Sequence, residues 1–92
     1  MDDRNSRLLT AARRGDADAV RAALEAGAGV EARDEELRSP LLLASLGNHV
    51  EAARVLVEAG ADPNLADADG VTPLRHARRR GFDGIAALLA SH

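Results

Sequence analysis

The 92-residue chain contains no cysteine, no lysine, no tryptophan and no tyrosine, and Phe82 is its one aromatic residue. Without cysteine there is no disulfide framework, no thiolate nucleophile and no cysteine-based zinc site. Without large aromatics the core must be assembled from Leu, Val, Ile and Ala, which favours closely packed helices. The same lack leaves almost no stacking surface for single-stranded nucleic acid. No apolar run approaches the ~20 residues that a membrane-spanning helix needs. The start, Met1-Asp2-Asp3, has neither the basic nor the apolar region of a secretory signal. The expectation is a cytoplasmic protein with no membrane partner. At this length one domain over residues 1–92 is expected, with a thin core and modest stability.

The charge present is as informative as the charge missing. All twelve cations are arginine, and the net charge is −3. No global basic field exists to draw in DNA or RNA, so no nucleic-acid partner is expected. Arginine suits bidentate protein contacts, and its exclusive use also suggests a GC-rich bacterial source. Yet "TPLRHARRRG", Thr72 to Gly81, concentrates four arginines and His76 in one short stretch.

The chain repeats itself. Leu8, Leu41 and Leu74 stand 33 residues apart, as do Ala11, Ala44 and Ala77, and Ser6, Ser39 and Thr72. Glu25-Ala26-Gly27-Ala28 returns as Glu58-Ala59-Gly60-Ala61, and Pro40 as Pro73. Such a period marks a solenoid of stacked units, here at about 5–33, 34–66 and 67–92. Each unit reads as helix, turn, helix, loop. Ser39-Pro40 and Thr72-Pro73 start helices, because the hydroxyl caps free N–H groups and proline at the first position loses no hydrogen bond. The first helices end near Gly15, Asn48 and Gly81. Asp16, and Asn48 or His49, are expected to cap the second helices, with Asp18 and Glu51 favourable to the N-terminal dipole. Their apolar stripes run through Val20, Ala23 and Leu24, then Ala52, Val55 and Leu56, then Ile85, Leu88 and Leu89. Gly27 and Gly60 stop them.

On these residues the chain resembles the ankyrin-repeat family. "SPLLLASLGNHVEAARVLVEAGADPNLAD" is similar to one whole repeat, "LLTAARRGDADAVRAALEAGAGVEARD" to a first repeat and "DADGVTPLRHARRRGFDGIAALL" to a last one. The resemblance implies an all-α helical solenoid, helix–turn–helix units with short β-hairpin or loop fingers projecting from one side. It further implies a non-catalytic module that binds another protein through the concave face and the finger tips.

Departures from the family pattern sharpen this. Arg78 stands where earlier units have Ala12 and Ser45, a position the next repeat normally covers, so it reads as a polar cap where the stack ends. Arg13, Arg14, Arg79 and Arg80 align with Leu46-Gly47 at the ends of the first helices. By resemblance these positions touch partners, although arginine there can also simply solvate a helix end. Glu35, Leu37 and Arg38 fall at the first finger tip, Asp69 and Val71 at the second. Leu37 replaces the glycine that takes positive φ, so that turn is either reshaped or strained. An exposed Leu37 would be an apolar anchor, and a buried one would fold onto the neighbouring unit. Leu46 would be the second anchor, the arginines would pair with carboxylates, and Glu35 and Asp69 would set register. The histidine usual in the family's TPLH motif is replaced by Leu9, Leu42 and Arg75, which removes a bond between loops. His76 is expected to be half exposed and structural.

No chemistry is legible. The imidazoles His49, His76 and His92 fall in different units, so no metal site is expected. No glycine-rich loop precedes a helix, and no cofactor is expected. Glu35-Glu36 lies on a solvated tip where a shifted pKa is not expected. The chain reads as no enzyme. Two further readings stay open at this stage. One is a regulatory cap or immunity-type inhibitor of a partner enzyme or toxin. The other is self-association of an otherwise monomeric protein through alanine-rich faces such as Ala22, Ala87 and Ala90.

Overall fold

Proline placement decides where the inner helices begin. Pro40 and Pro73 disfavour helical backbone in the residue before them, and Ser39 and Thr72 there are extended, each accepting a hydrogen bond from the N–H three residues on. The first unit has Arg7 at this position, and its helix runs back past Ser6. The computed structural model describes residues 3–92; the acidic start read at Met1 and Asp2 lies outside them. The helices are α1 (Asp3–Arg14), α2 (Ala17–Glu25), α3 (Pro40–Leu46), α4 (Val50–Glu58), α5 (Pro73–Arg80) and α6 (Asp83–Ala90). Each odd-numbered helix packs on the even-numbered one that follows it. α1, α3 and α5 form one layer and α2, α4 and α6 the other.

The core runs between the layers. Leu8, Val20, Leu41, Leu42, Leu56 and Ile85 are fully buried there. Equivalent positions show which surface each unit presents to its neighbours. Ala12 and Ser45 are fully buried, whereas Arg78 is exposed. On the opposite side Leu43 is buried and its counterpart Thr10 is exposed. A unit cannot cover its own apolar face, so stacking supplies the burial and polar residues stand where it stops.

Of the two forms expected for the fingers, hairpin or loop, the structure has the loop: among the described residues no strand forms. Each finger closes by two backbone bonds only. The Leu37 N–H donates to the Asp34 carbonyl and the Asp34 N–H to the Arg38 carbonyl, with Gly70, Asp67 and Val71 repeating the pattern. One bond, from the Ala68 N–H to the Glu36 carbonyl, links the two tips. These segments are too short to extend a ladder.

The caps of the outer helices also need correction. Asp16 caps α2 as expected, accepting from the Ala19 N–H at 3.0 Å. His49 holds the corresponding place before α4, but its ring makes no cap bond. Its Nε2 instead donates to the Arg13 carbonyl at 3.1 Å, one of the carbonyls left free at the end of α1. Asn48 takes the left-handed turn at φ 57°, as its sequence position requires.

Candidate functional site

Arg13 and Arg14, Leu46, and Arg79 and Arg80 end three successive helices of one layer, α1, α3 and α5. The four arginines are exposed and Leu46 is half-buried. Arg13 is partly occupied, 3.7 Å from the Asp34 carboxylate of the first finger. Between them lies a hollow of about 170 Å³ lined by Leu9, Thr10, Arg13, Asp34 and Glu35 among others. Arg14, Arg79 and Arg80 make no ion pair among the described residues. A larger groove of about 470 Å³ opens on the end face of α1 and α2, over Ala11, Ala19, Ala22 and Ala23.

Leu37 resolves in favour of strain and exposure. It keeps the turn and takes φ 60°, and at 45% exposure it is the one large hydrophobic residue among those described that stands well out in solvent. The left-handed conformation costs a side-chain-bearing residue about 1–2 kcal/mol. Glu35 and Asp69 are exposed beside it. Arg38 and Val71 belong to the scaffold instead. Both are half-buried, and their N–H groups donate to Asp34 and Asp67, at 2.8 Å and 3.0 Å.

Those two aspartates organise the fingers. Asp34 accepts from the N–H groups of Glu36 and Arg38 and from the Arg38 guanidinium at 2.8 Å. Asp67 accepts from Asp69, Val71 and, at 2.9 Å, the His76 ring. Burial alone would raise both carboxyl pKa values. The bonds from Arg38 and Glu36 outweigh it at Asp34, and those from His76, Val71 and Asp69 outweigh it at Asp67, so both are held below the ordinary value. A depressed carboxyl stabilises the fold fully above its unfolded pKa of about 3.9, and the contribution disappears as pH falls through the lower folded value. Urea melts should therefore show stability falling below about pH 4. Asp34→Asn and Asp67→Asn should each flatten that fall. An unchanged slope in both variants would remove the aspartates from this role.

His76 is less exposed than expected: its side chain is only 15% exposed because it turns onto Asp67, itself 12% exposed. Three other residues escaped the sequence reading. Asn5 accepts from the Gly29 N–H at 2.8 Å, and Glu31 from the Asp62 N–H at 2.9 Å. The Arg33 guanidinium donates to the Leu37 carbonyl of its own finger and to the Ala66 carbonyl of the next. These bonds tie Asn5 of α1 to the loop after α2 and join the loops of neighbouring units. Only Arg33 carries a signal in the period: Arg33 and Ala66 stand 33 residues apart, so the donor reaches its own counterpart.

The described residues offer no cluster of His, Cys, Asp or Glu able to hold a metal. None of their helices is long and apolar enough to cross a membrane. The arrangement is a row of guanidinium groups, one apolar tip and acidic fingers, suited to complementary contact. The model of ankyrin repeats matches residues 4–92 in three copies. The chain is also 40% identical over 89 residues to the potassium channel KOR1 of Oryza sativa subsp. japonica, which covers 97% of this chain but only 10% of that protein. The helix pairs, the period and these matches agree, and the chain belongs to the ankyrin-repeat family.

Proposed function

We propose that this chain is a non-catalytic recognition module that grips another protein through the ends of α1, α3 and α5 and through the finger tips. Ankyrin repeats in general mediate protein–protein contact. The observation that carries the reading for this chain is Leu37. A glycine would relax the turn and remove an exposed apolar side chain, yet leucine stands there, strained and exposed. Strain held at an exposed apolar position fits an anchor that inserts into a partner. Arg13, Arg14, Arg79 and Arg80 supply charge around it, Leu46 a second apolar contact, and Glu35 and Asp69 orientation. The match to a channel covers a tenth of that protein and supports the repeat fold of the matched segment, not transport.

Leu37→Gly gives a test with opposite signs. Folding stability should rise by about 1 kcal/mol as the left-handed strain is released, while partner capture should fall. A variant carrying Leu37→Asp, Arg79→Ala and Arg80→Ala, shown folded by circular dichroism, should lose the protein that wild type recovers from native extract. Equal recovery by both would remove the strip and tip from the interface.

A further inference from the structure

The arginines are sorted by layer. α1 holds Arg4, Arg7, Arg13 and Arg14, and α5 holds Arg75, Arg78, Arg79 and Arg80. Against these eight stands one carboxylate in the same helices, Asp3, and α3 between them carries no charge. The other layer has the opposite balance. α2, α4 and α6 carry Asp18, Glu25, Glu51, Glu58 and Asp83 against Arg21 and Arg54. Both of those arginines are already paired, with Asp18 and Glu51 on their own helices. A chain of net charge −3 thus concentrates arginine in one layer, with Arg4, Arg7 and Arg14 at its edge along the groove between α1 and α2.

Helix dipoles do not account for this. They favour cations in the last turn of any helix. Arginine fills the last turns of α1 and α5, while the last turns of α2, α4 and α6 have no basic residue. Neither does internal pairing. Arg14, Arg75, Arg78, Arg79 and Arg80 make no ion pair among the described residues. Unpaired like charges on adjacent turns repel one another, a cost that a partner's carboxylates would reverse.

We infer that the partner presents an acidic polypeptide segment to the α1–α3–α5 layer; the inference rests on the recognition reading above and names the chemistry of its partner. Packed helices lie about 8–10 Å apart, so the ends of α1 and α5 are separated by roughly 16–20 Å. An extended chain rises about 3.3 Å per residue, so two acidic clusters about five or six residues apart reach both arginine pairs. An apolar residue midway falls over Leu46. The exposed carboxylates Glu35, Glu36 and Asp69 at the tips favour a peptide over a nucleic acid. A peptide can place neutral residues opposite them, whereas a phosphate chain carries negative charge at every step.

The test uses fluorescein-labelled eight-residue peptides, whose terminal pairs stand six residues apart, in anisotropy titrations at low and physiological salt. One has Asp-Glu at each end and a central Leu in a Gly-Ser spacer. A second has Lys for each acidic residue, a third has Ser for Leu, and a ten-nucleotide single strand is the fourth probe. The acidic peptide is expected to bind at least about tenfold tighter than the lysine peptide, each tenfold being about 1.4 kcal/mol. Salt should weaken it. Arg79→Glu with Arg80→Glu should reverse the preference. Replacing Arg21 and Arg54 in the other layer by Glu should leave it unchanged. Equal binding of acidic and lysine peptides, no binding of the acidic peptide at low salt, or tighter binding of the oligonucleotide would overturn the inference. The extract capture separates this failure from failure of the recognition reading. A protein recovered through Leu37 but indifferent to the Arg79/Arg80 reversal would sink the acidic partner alone.

Discussion

Leu41→Ala is expected to cost about 3 kcal/mol of folding stability, within the 2–5 kcal/mol typical of a buried leucine that leaves a cavity. Leu41 is fully buried in α3, and α3 packs on α1, α4 and α5. It therefore lies buried in the helix that packs on both neighbouring units. A domain of this length has total stability of only about 5–14 kcal/mol, so the loss is a large share of the whole. Stacked repeats depend on their neighbours, and weakening the middle pair deprives both outer pairs of support. The thermal midpoint should fall by more than about 10 °C. The comparison is Leu24→Ala, at a position only half-buried on α2, where the loss should be about half as large. A smaller effect at Leu41 than at Leu24 would show that the core is not centred on α3.

Gly15→Ala is expected to cost about 2–3 kcal/mol, from two separable sources. Gly15 has φ 74°, a conformation that carries about 1–2 kcal/mol of strain for alanine. A Cβ there would also fall inside the His49 ring. The ring would have to turn away and give up its bond to the Arg13 carbonyl, worth about 1 kcal/mol. Gly47 separates the two sources. Its φ of −96° suits any residue, but a Cβ would strike the other edge of the same ring. Gly47→Ala should thus cost only the displacement of His49. In a His49→Ala background its penalty should vanish, while Gly15→Ala should keep its backbone share. Urea titrations of the two double-mutant cycles measure this directly. A full penalty for Gly47→Ala without the imidazole would show that the ring is not what excludes a side chain.

These cases show where sequence reading succeeds. Capping by Ser39, Thr72 and Asp16 depends on atoms three residues away, and such short-range chemistry is legible in order. Arg78 was legible because its counterparts, Ala12 and Ser45, told what the position faces. Leu37 was half legible: its place in the turn posed a choice between a reshaped and a strained turn, but which held, and whether the side chain lay on a neighbour or in solvent, needed the packed structure. The choice between hairpin and loop fingers was not legible, because a period gives the place of a finger, not whether its arms are long enough to pair.

The sequence by itself determined the unit, its number of copies, the helix starts and the side of each unit that a neighbour must cover. Those follow from local backbone preference and from apolar positions recurring every 33 residues. The tertiary structure alone decided how units are joined and which charges are left over. Arg33 reaches Ala66, the His49 ring lies against Gly15, and Arg13 reaches Asp34, all across distances that depend on how the helices stack. That Arg14, Arg75, Arg78, Arg79 and Arg80 have no ion pair among the described residues emerges only by subtraction, once the folded chain has shown which carboxylates lie within reach.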